Sequence, residues 1–200
     1  MVILSSDMGR AEGVRARKHR ETLARITDTG ICLFLERGYD ATTIDDVAAA
    51  AGISRRTFFH YFKSKDDILV SLQSGMGDMI ADAVRNAPAQ KRPLEVVRDA
   101  VLEVCGAIPS DELRAIDRLM HSSPTVQARK QASYVEQENI LFSALRDRWP
   151  DPAREGALRL IAMLSIGAIR LATEAFGQEG EARALTDLLR DAFETLRREL

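Results

Sequence analysis

The chain has 200 residues, of which 46% are hydrophobic and 29% charged, and its formal net charge is −2. This composition is typical of a globular protein large enough to bury a core without disulfides, and it excludes disordered and collagen-like classes. No apolar run approaches the roughly 20 residues of a membrane helix, and the N-terminus lacks the apolar region of a signal peptide. We therefore expect a cytoplasmic protein with no membrane contact.

The two cysteines, Cys32 and Cys105, and the three histidines are widely separated along the chain. Zinc ligands and redox cysteine pairs are usually closely spaced, so each cysteine is better interpreted as a small buried hydrophobic residue. We expect no metal and no other cofactor.

Charge is distributed unevenly along the chain. The segment from Arg10 to Lys65 holds 11 basic and 7 acidic residues, whereas the segment from Asp66 to Leu200 holds 17 basic and 22 acidic residues. A basic N-terminal part followed by an acidic remainder is typical of a chain whose first part meets phosphates, although the asymmetry alone is weak evidence.

The hydrophobic pattern predicts an all-α protein with about nine helices. Val, Ile and Thr nowhere alternate with polar residues between turn signals, so no strand is predicted. From the apolar periodicity and the capping residues we predict helices at about 15–37, 44–51, 55–62, 65–85, 93–107, 110–121, 124–149, 152–176 and from 181 to the end.

The second and third predicted helices form a helix-turn-helix. Thr43 and Ser54 are suited to cap the two helices, Gly52 permits the tight reversal between them, and the small residues at 48–51 allow close packing. The first turn of the second of these helices then presents Ser54, Arg55, Arg56 and Thr57 outward, where arginine can bond guanine and threonine can contact a thymine methyl. A plain helical hairpin with solvated arginines is the alternative.

We expect the three N-terminal helices to pack around one core. Its members are the large apolar residues on their inner faces, Leu33, Phe34, Ile44, Val47, Phe58 and Phe62.

The segment that contains this motif closely resembles the DNA-binding domain of the TetR family of transcriptional regulators. The matching stretches are FLERGYDATTIDDVA at 34–48 and AGISRRTFFHYFKSK at 51–65. Together they cover about a quarter of the chain, and the resemblance is weak beyond Lys65.

The resemblance implies a homodimeric repressor that binds a palindromic DNA operator and has no enzymatic activity. It implies a DNA-binding domain at 10–65 and an effector-binding and dimerisation domain at 66–200. By position, Thr43, Tyr61 and Lys65 match contacts to phosphates. The residues that match the side facing the groove are Ser54, Arg55, Arg56, Thr57 and His60.

Three positions depart from the family pattern. Arg56 stands where a small residue is common, so it adds a long hydrogen-bond donor. Phe59 stands where tyrosine is usual and offers only apolar contact. Gly30 replaces a more usual alanine, at a cost of about 1 kcal/mol unless packing needs the room. The basic segment from Arg15 to Arg20 is open to two interpretations, an arm that contacts DNA or a solvated terminus.

The last two predicted helices, 152–176 and 181–199, carry apolar stripes. The stripe of the eighth holds Leu158, Ile161, Ala162, Ser165, Ile169 and Ala172, and that of the ninth holds Leu185, Leu188, Leu189, Ala192 and Leu196. These stripes suit a two-fold interface between identical chains, and the alternative is that they close the core of a monomer.

An effector pocket is expected among the fourth to eighth helices. The effector implied is a small apolar molecule, acyl-CoA-like or derived from lipid. Candidate lining and anchoring residues are Arg118, Leu119, Met120, His121, Tyr134, Met163 and Ile166.

Two other classes of function are alternatives. An architectural DNA-binding protein would share the motif but would not respond to an effector. An enzyme is disfavoured, because Gly75 and Gly77 lack the preceding strand and third glycine of a dinucleotide loop, and no nucleophile or metal motif is present.

Overall fold

The computed structural model describes residues 14–88, 90–121, 124–178 and 183–199. They form nine α-helices and contain no strand, so the predicted all-α fold is confirmed. The helices are α1 Val14–Arg37, α2 Ile44–Ala50, α3 Arg55–Tyr61, α4 Asp66–Asn86, α5 Pro93–Gly106, α6 Ser110–Met120, α7 Pro124–Arg148, α8 Glu155–Gln178 and α9 Leu185–Glu199.

The predicted boundaries differ from the structure mainly at the last two helices. A short 3₁₀ helix, Pro152–Arg154, precedes α8, and the Asp151 carboxylate caps it by accepting from the Ala153 amide at 2.9 Å. The ninth helix begins at Leu185 rather than at 181, and residues 179–182 lie outside the described part of the chain.

The chain divides into two compact units. The first extends to Gly75 and includes Leu119–Arg129, and the second comprises Met76–Arg118 and Lys130–Leu200. Both units therefore contain parts of α4, α6 and α7. The functional boundary at 65/66 stays a prediction.

The core of the first unit forms largely as the sequence predicts. Leu33, Phe34, Val47, Phe58 and Phe62 are buried, and Ile44 is half-buried.

Gly30 supplies the room that this core needs. A Cβ at this position would lie 2.9 Å from Cδ1 of Ile68, a side chain that is itself fully buried. Two other glycines end helices: Gly38 follows α1 with φ +88° and Gly52 follows α2 with φ +67°, conformations that favour glycine.

In the second unit, α5, α8 and α9 enclose the core. Leu185, Leu188, Leu189 and Phe193 of α9 are buried there. On α8, Leu158, Ala162, Ser165 and Ala172 are buried as well. Ile161 and Ile169 of α8 and Ala192 and Leu196 of α9 are partly buried against the same core. Residues of both stripes thus pack within one chain, and the predicted two-fold interface through 152–176 and 181–199 stays a prediction.

A different face of α8 is exposed. Leu160 is 51% exposed, Met163 47% and Leu171 66%. The segment Pro152–Gln178 is long and apolar enough to span a membrane by length and composition, whereas no apolar run of that length was expected from the sequence. The same criteria are met by core helices of globular proteins, and α8 packs seven buried residues against its own unit.

Candidate nucleic-acid interface

A reciprocal capping box fixes the start of α2. The Thr43 amide donates to Oδ2 of Asp46 at 2.9 Å, and the Asp46 amide donates to Oγ1 of Thr43 at 3.1 Å. The Thr43 hydroxyl also donates to Oδ2 of Asp46 at 2.5 Å, and this bond, together with the one from the Thr43 amide, lowers the pKa of Asp46. Because Thr43 is exposed at the positive end of α2, its side chain lies where a phosphate can approach.

The turn between α2 and α3 is closed by backbone hydrogen bonds. The Gly52 amide donates to the Ala49 carbonyl at 3.1 Å, and the Ile53 amide donates to the Ala48 carbonyl at 2.9 Å. With Gly52 in the left-handed region, the chain reverses in the four residues between α2 and α3. The orientation of α3 relative to α2 is therefore set by the backbone.

Ser54 caps α3 as predicted. Its Oγ accepts from the Thr57 amide at 3.0 Å and also lies 2.8 Å from Oγ1 of Thr57. The Thr57 hydroxyl is therefore engaged within the protein, which leaves its methyl group as the part that can contact a base.

The buried face of α3 anchors it in the core, and the opposite face is open. Phe58 is fully buried, whereas Arg55, Arg56 and His60 are exposed and Phe59 is 44% exposed. The Phe59 ring lies edge-on to Phe58 with 5.7 Å between centroids. From the sequence, Arg55, Arg56 and His60 were expected on the side facing the groove, and Phe59 was expected to offer only apolar contact. The structure brings all four together on the open face.

The two arginines of α3 differ in their partners. The guanidinium of Arg55 pairs with the Asp45 carboxylate at 2.7 Å and lies 5.6 Å from the Phe59 ring. Arg56 has no ion-pair partner among the described residues. Arg56 is therefore the cation on this helix that is already available to a base or phosphate.

Tyr61 packs against α1. Its ring lies 4.8 Å from that of His19, and His60 lies 6.4 Å from the same histidine. This cluster joins the start of α1 to the end of α3, a contact that sequence analysis did not predict. The side chain of Arg15 lies outside the described residues, and Arg17 pairs with Glu21.

Lys65 is held by the loop between α1 and α2. Its Nζ donates to the Tyr39 carbonyl at 2.7 Å and to the Thr42 carbonyl at 3.4 Å, and it lies 4.1 Å from the centre of the Tyr39 ring. The Tyr39 hydroxyl donates to Asp66. Two of the three N–H groups of Lys65 are thus used within the protein, and one remains for a phosphate.

The start of α4 is capped from within. Oδ2 of Asp67 accepts from the amide of Ser64 at 3.1 Å and from that of Lys63, and the same carboxylate pairs with Arg129 of α7. The arginine that pairs with Asp67 lies 62 positions further along the chain, a contact that no local sequence pattern predicts.

All nine predicted DNA-contacting residues lie in the first unit. Arg55, Arg56, Phe59 and His60 share the exposed face of α3, Ser54 and Thr57 form its cap, and Thr43, Tyr61 and Lys65 lie on the elements that flank it.

The predicted effector residues are divided between the units. In the first, Leu119 and Met120 are buried and His121 is exposed; in the second, Tyr134 and Ile166 are buried and Arg118 and Met163 are exposed. Burial raises the pKa of Tyr134. The pocket itself stays a prediction.

Comparison with known proteins decides the family. The model of bacterial regulatory proteins of the tetR family matches residues 26–72, and the model of the MftR C-terminal domain, also of tetR type, matches residues 91–200. The chain belongs to the tetR family. The match to the family therefore extends well beyond Lys65, although the residues after Lys65 resemble the family only weakly.

Two relatives in the tetR family are transcriptional regulators by name. The chain is 32% identical to TcmR of Streptomyces glaucescens over 109 residues, which are 54% of this chain and 48% of that protein. It is 25% identical to MftR of Mycobacterium tuberculosis over 182 residues, 90% of this chain and 91% of that protein. The chain thus aligns with about half the length of TcmR and nearly all of MftR.

The tetR fold is also shared with solved structures. FadR of Thermus thermophilus, a transcriptional repressor solved with lauroyl-CoA, superposes with a TM-score of 0.56 at 21% identity, covering 87% of this chain and 92% of that one. At this identity the likeness concerns the fold alone. The tetR family consists of DNA-binding transcriptional regulators rather than enzymes, in agreement with the sequence analysis.

Proposed function

We propose that this chain is a transcriptional repressor that binds a palindromic operator as a homodimer and is released by a small apolar or acyl-type effector. The observation that carries the DNA-binding part is the capped α3, on which Arg56 is exposed and has no ion-pair partner in the part of the chain that the structure describes. A helix presented this way fits the major groove, where arginine discriminates guanine.

The proposed contacts divide into two classes. Arg55, Arg56, Thr57, Phe59 and His60 face the bases, with Ser54 at the start of the helix. Thr43, Tyr61 and the remaining N–H of Lys65 face phosphates, and these contacts position the protein without specifying sequence.

Dimerisation is proposed through the exposed face of α8 rather than through the stripes first considered. Leu160, Met163, Gly167 and Leu171 recur at spacings of three and four residues and therefore share one face of the helix. A Cβ added to Gly167 would meet no atom within 4 Å. An apolar face of this length is costly in water, and a second copy of α8 packed across a two-fold axis would cover it.

The effector proposal is supported by the apolar core of the second unit and by the repressor complexes among the structural neighbours. FadR of Thermus thermophilus was solved with lauroyl-CoA, and SmeT was solved with triclosan. A cytoplasmic location follows from the proposed role, since the operator lies there.

Selection from a random duplex library tests the proposal. Purified protein should enrich an inverted repeat whose half-sites are centred about 10 base pairs apart or a multiple of that, because the two α3 helices of a dimer must enter major grooves on one side of the duplex. The Arg56→Ala variant should enrich a motif with reduced information at one position per half-site. Arg197→Ala, which removes a distant arginine of α9, serves as the matched control. Absence of any enriched motif refutes the proposal.

A further inference from the structure

Four side chains of the second unit have a buried nitrogen or oxygen atom without a hydrogen-bond partner among the described residues: Glu112, Gln137, Arg148 and Ser165. Glu112 and Arg148 are half-buried as residues, whereas Gln137 and Ser165 are buried. Nε2 of Gln137 on α7 and Oγ of Ser165 on α8 are both unpartnered. Gln137 is 9% exposed and Ser165 is fully buried. Buried polar groups are nearly always hydrogen-bonded, since an unpaired donor loses its interactions with water and gains nothing in return.

The packing of α7 against α8 brings these two side chains to one level. Near one end of the contact, Arg170 lies over the Tyr134 ring at 5.8 Å; further along, Arg159 donates to Asn139 at 2.6 Å. Residue numbers rise along α7 while they fall along α8, so the helices are antiparallel. Gln137 and Ser165 both lie between these two contacts, and their positions along the helix axes agree to within about one turn.

The buried residues near Gln137 and Ser165 are apolar, and α4 lies close to this pair. A Cβ built on Gly77 of α4 would lie 3.6 Å from Cγ of Gln137, an ordinary van der Waals distance, so α4 passes beside this side chain. Tyr134, Ala162 and Ile166 are buried on the same two helices. The buried residues of the described chain include no lysine, arginine, histidine, aspartate or glutamate.

These facts define the chemistry that would satisfy the pair. The amide Nε2 of Gln137 only donates, and the Ser165 hydroxyl can donate as well, so the complementary group is an acceptor oxygen. A neutral acceptor is favoured over an ionised one, because none of the buried residues in the described part of the chain carries a charge that would compensate it. The remaining class is a neutral carbonyl-type oxygen carried by an otherwise apolar molecule, such as a ketone, ester or thioester.

We propose that Gln137 and Ser165 are the polar anchors of the effector site and that they recognise a neutral carbonyl oxygen on an apolar ligand. This inference rests on the proposed function, in which the second unit binds the effector. It adds the ligand's chemical class and two anchoring residues that were absent from the sequence-based candidates.

Prodan, a neutral propionyl-naphthalene fluorophore, is a suitable probe because donors to its carbonyl shift its emission to longer wavelength. Wild-type protein should bind prodan saturably. A Gln137→Leu, Ser165→Ala double variant should bind it roughly tenfold more weakly or worse, with emission shifted to shorter wavelength. The Tm of the double variant should be equal or higher, because the removed groups have no protein partner.

Ser133→Ala is the matched control. Oγ of Ser133, on the same helix, donates to the Lys130 carbonyl at 2.9 Å, so this change should lower Tm slightly and leave prodan binding unaltered. The inference is overturned if wild-type protein does not bind prodan, if the double variant keeps both affinity and emission, or if its Tm falls further than that of the control. Affinity for the selected operator, measured in parallel, tests the proposed function separately, since neither residue lies in the first unit.

Discussion

Lys65 offers the sharpest test of how the DNA-binding unit is held together. Its ammonium group joins the start of α4 to the loop between α1 and α2 through the carbonyls of Tyr39 and Thr42 and through the face of the Tyr39 ring. Lys65→Met keeps the aliphatic stem and removes only these polar contacts, so its effect reports on them directly.

The expected loss follows from the three contacts. A charged donor at 2.7 Å is worth about 1.5–3 kcal/mol, the longer bond at 3.4 Å adds little, and a cation over an aromatic ring adds about 0.5–1 kcal/mol at an exposed site. Because Lys65 is half-buried, solvent screening reduces the total, and we expect a loss of about 1–2 kcal/mol.

Urea unfolding followed by circular dichroism measures this loss. Lys63→Met is the control, since it removes the same charge two residues away from an exposed side chain. We expect the control to stay within about 0.5 kcal/mol of wild type. If Lys65→Met is equally stable, the contacts with the loop contribute nothing and the reasoning fails. The salt dependence of operator binding by the same variant should decrease by about one phosphate if the third N–H reaches the DNA.

Three further changes test other parts of the structure. Gly30→Ala should destabilise the protein by about 1 kcal/mol or more in urea, because crowding against Ile68 outweighs the gain in helix propensity; a stabilised variant would contradict the packing. Asp78→Asn should raise stability at neutral pH but not near pH 3, because burial raises the pKa of Asp78 and its ionisation is unfavourable in the folded state. Equal stability at all pH values would contradict that pKa shift. Leu171→Arg should weaken self-association at least tenfold by analytical ultracentrifugation, and an unchanged association constant would exclude this face of α8.

The sign of the Asp78 effect follows from the direction of its pKa. Desolvation is the largest cause, the carboxylates of Asp82 and Glu136 act in the same direction, and Arg85 opposes them. A raised folded-state pKa gives stability that is fully present below the ordinary pKa of aspartate and is lost as pH rises through the folded value. The Asp78→Asn variant should therefore become more stable than wild type as pH rises from the ordinary pKa of aspartate to the folded-state pKa of Asp78.

The DNA-binding motif could be predicted from sequence because its determinants are local. The side chains of Thr43 and Ser54 accept hydrogen bonds from amides three positions ahead, and the tight turn after α2 places Gly52 at a positive φ. Such short-range requirements are visible in the residue order alone. The same locality explains why the helix boundaries in this part agree with the structure to within two residues.

The face of α8 that is exposed could not be predicted in the same way. This helix is apolar on more than one side, and periodicity identifies stripes without identifying what covers them. The stripe that includes Leu158 and Ala162 is covered by the chain itself, whereas Leu160 and Leu171 are exposed. Only the packing of α5 and α9 distinguishes the two faces.

Long-range polar contacts were likewise invisible in the sequence. Matching Lys65 to its family position suggests a phosphate contact but not its bond to a carbonyl 26 residues earlier. The unpartnered atoms of Gln137 and Ser165 become recognisable only when burial is known at each position. Both cases depend on tertiary neighbours rather than on the pattern around the residue.

The central claim is that Arg56 of α3 contacts a base in the major groove. The selected operator can be synthesised as a series of duplexes, each with 7-deazaguanine in place of one guanine. Each duplex lacks the N7 acceptor of that guanine, to which arginine donates in the major groove. We predict that one guanine per half-site, when replaced, weakens wild-type binding by about 1–3 kcal/mol and weakens Arg56→Ala binding no further. If the protein and DNA changes are instead additive at every guanine, Arg56 does not contact a guanine and the account of this interface is wrong.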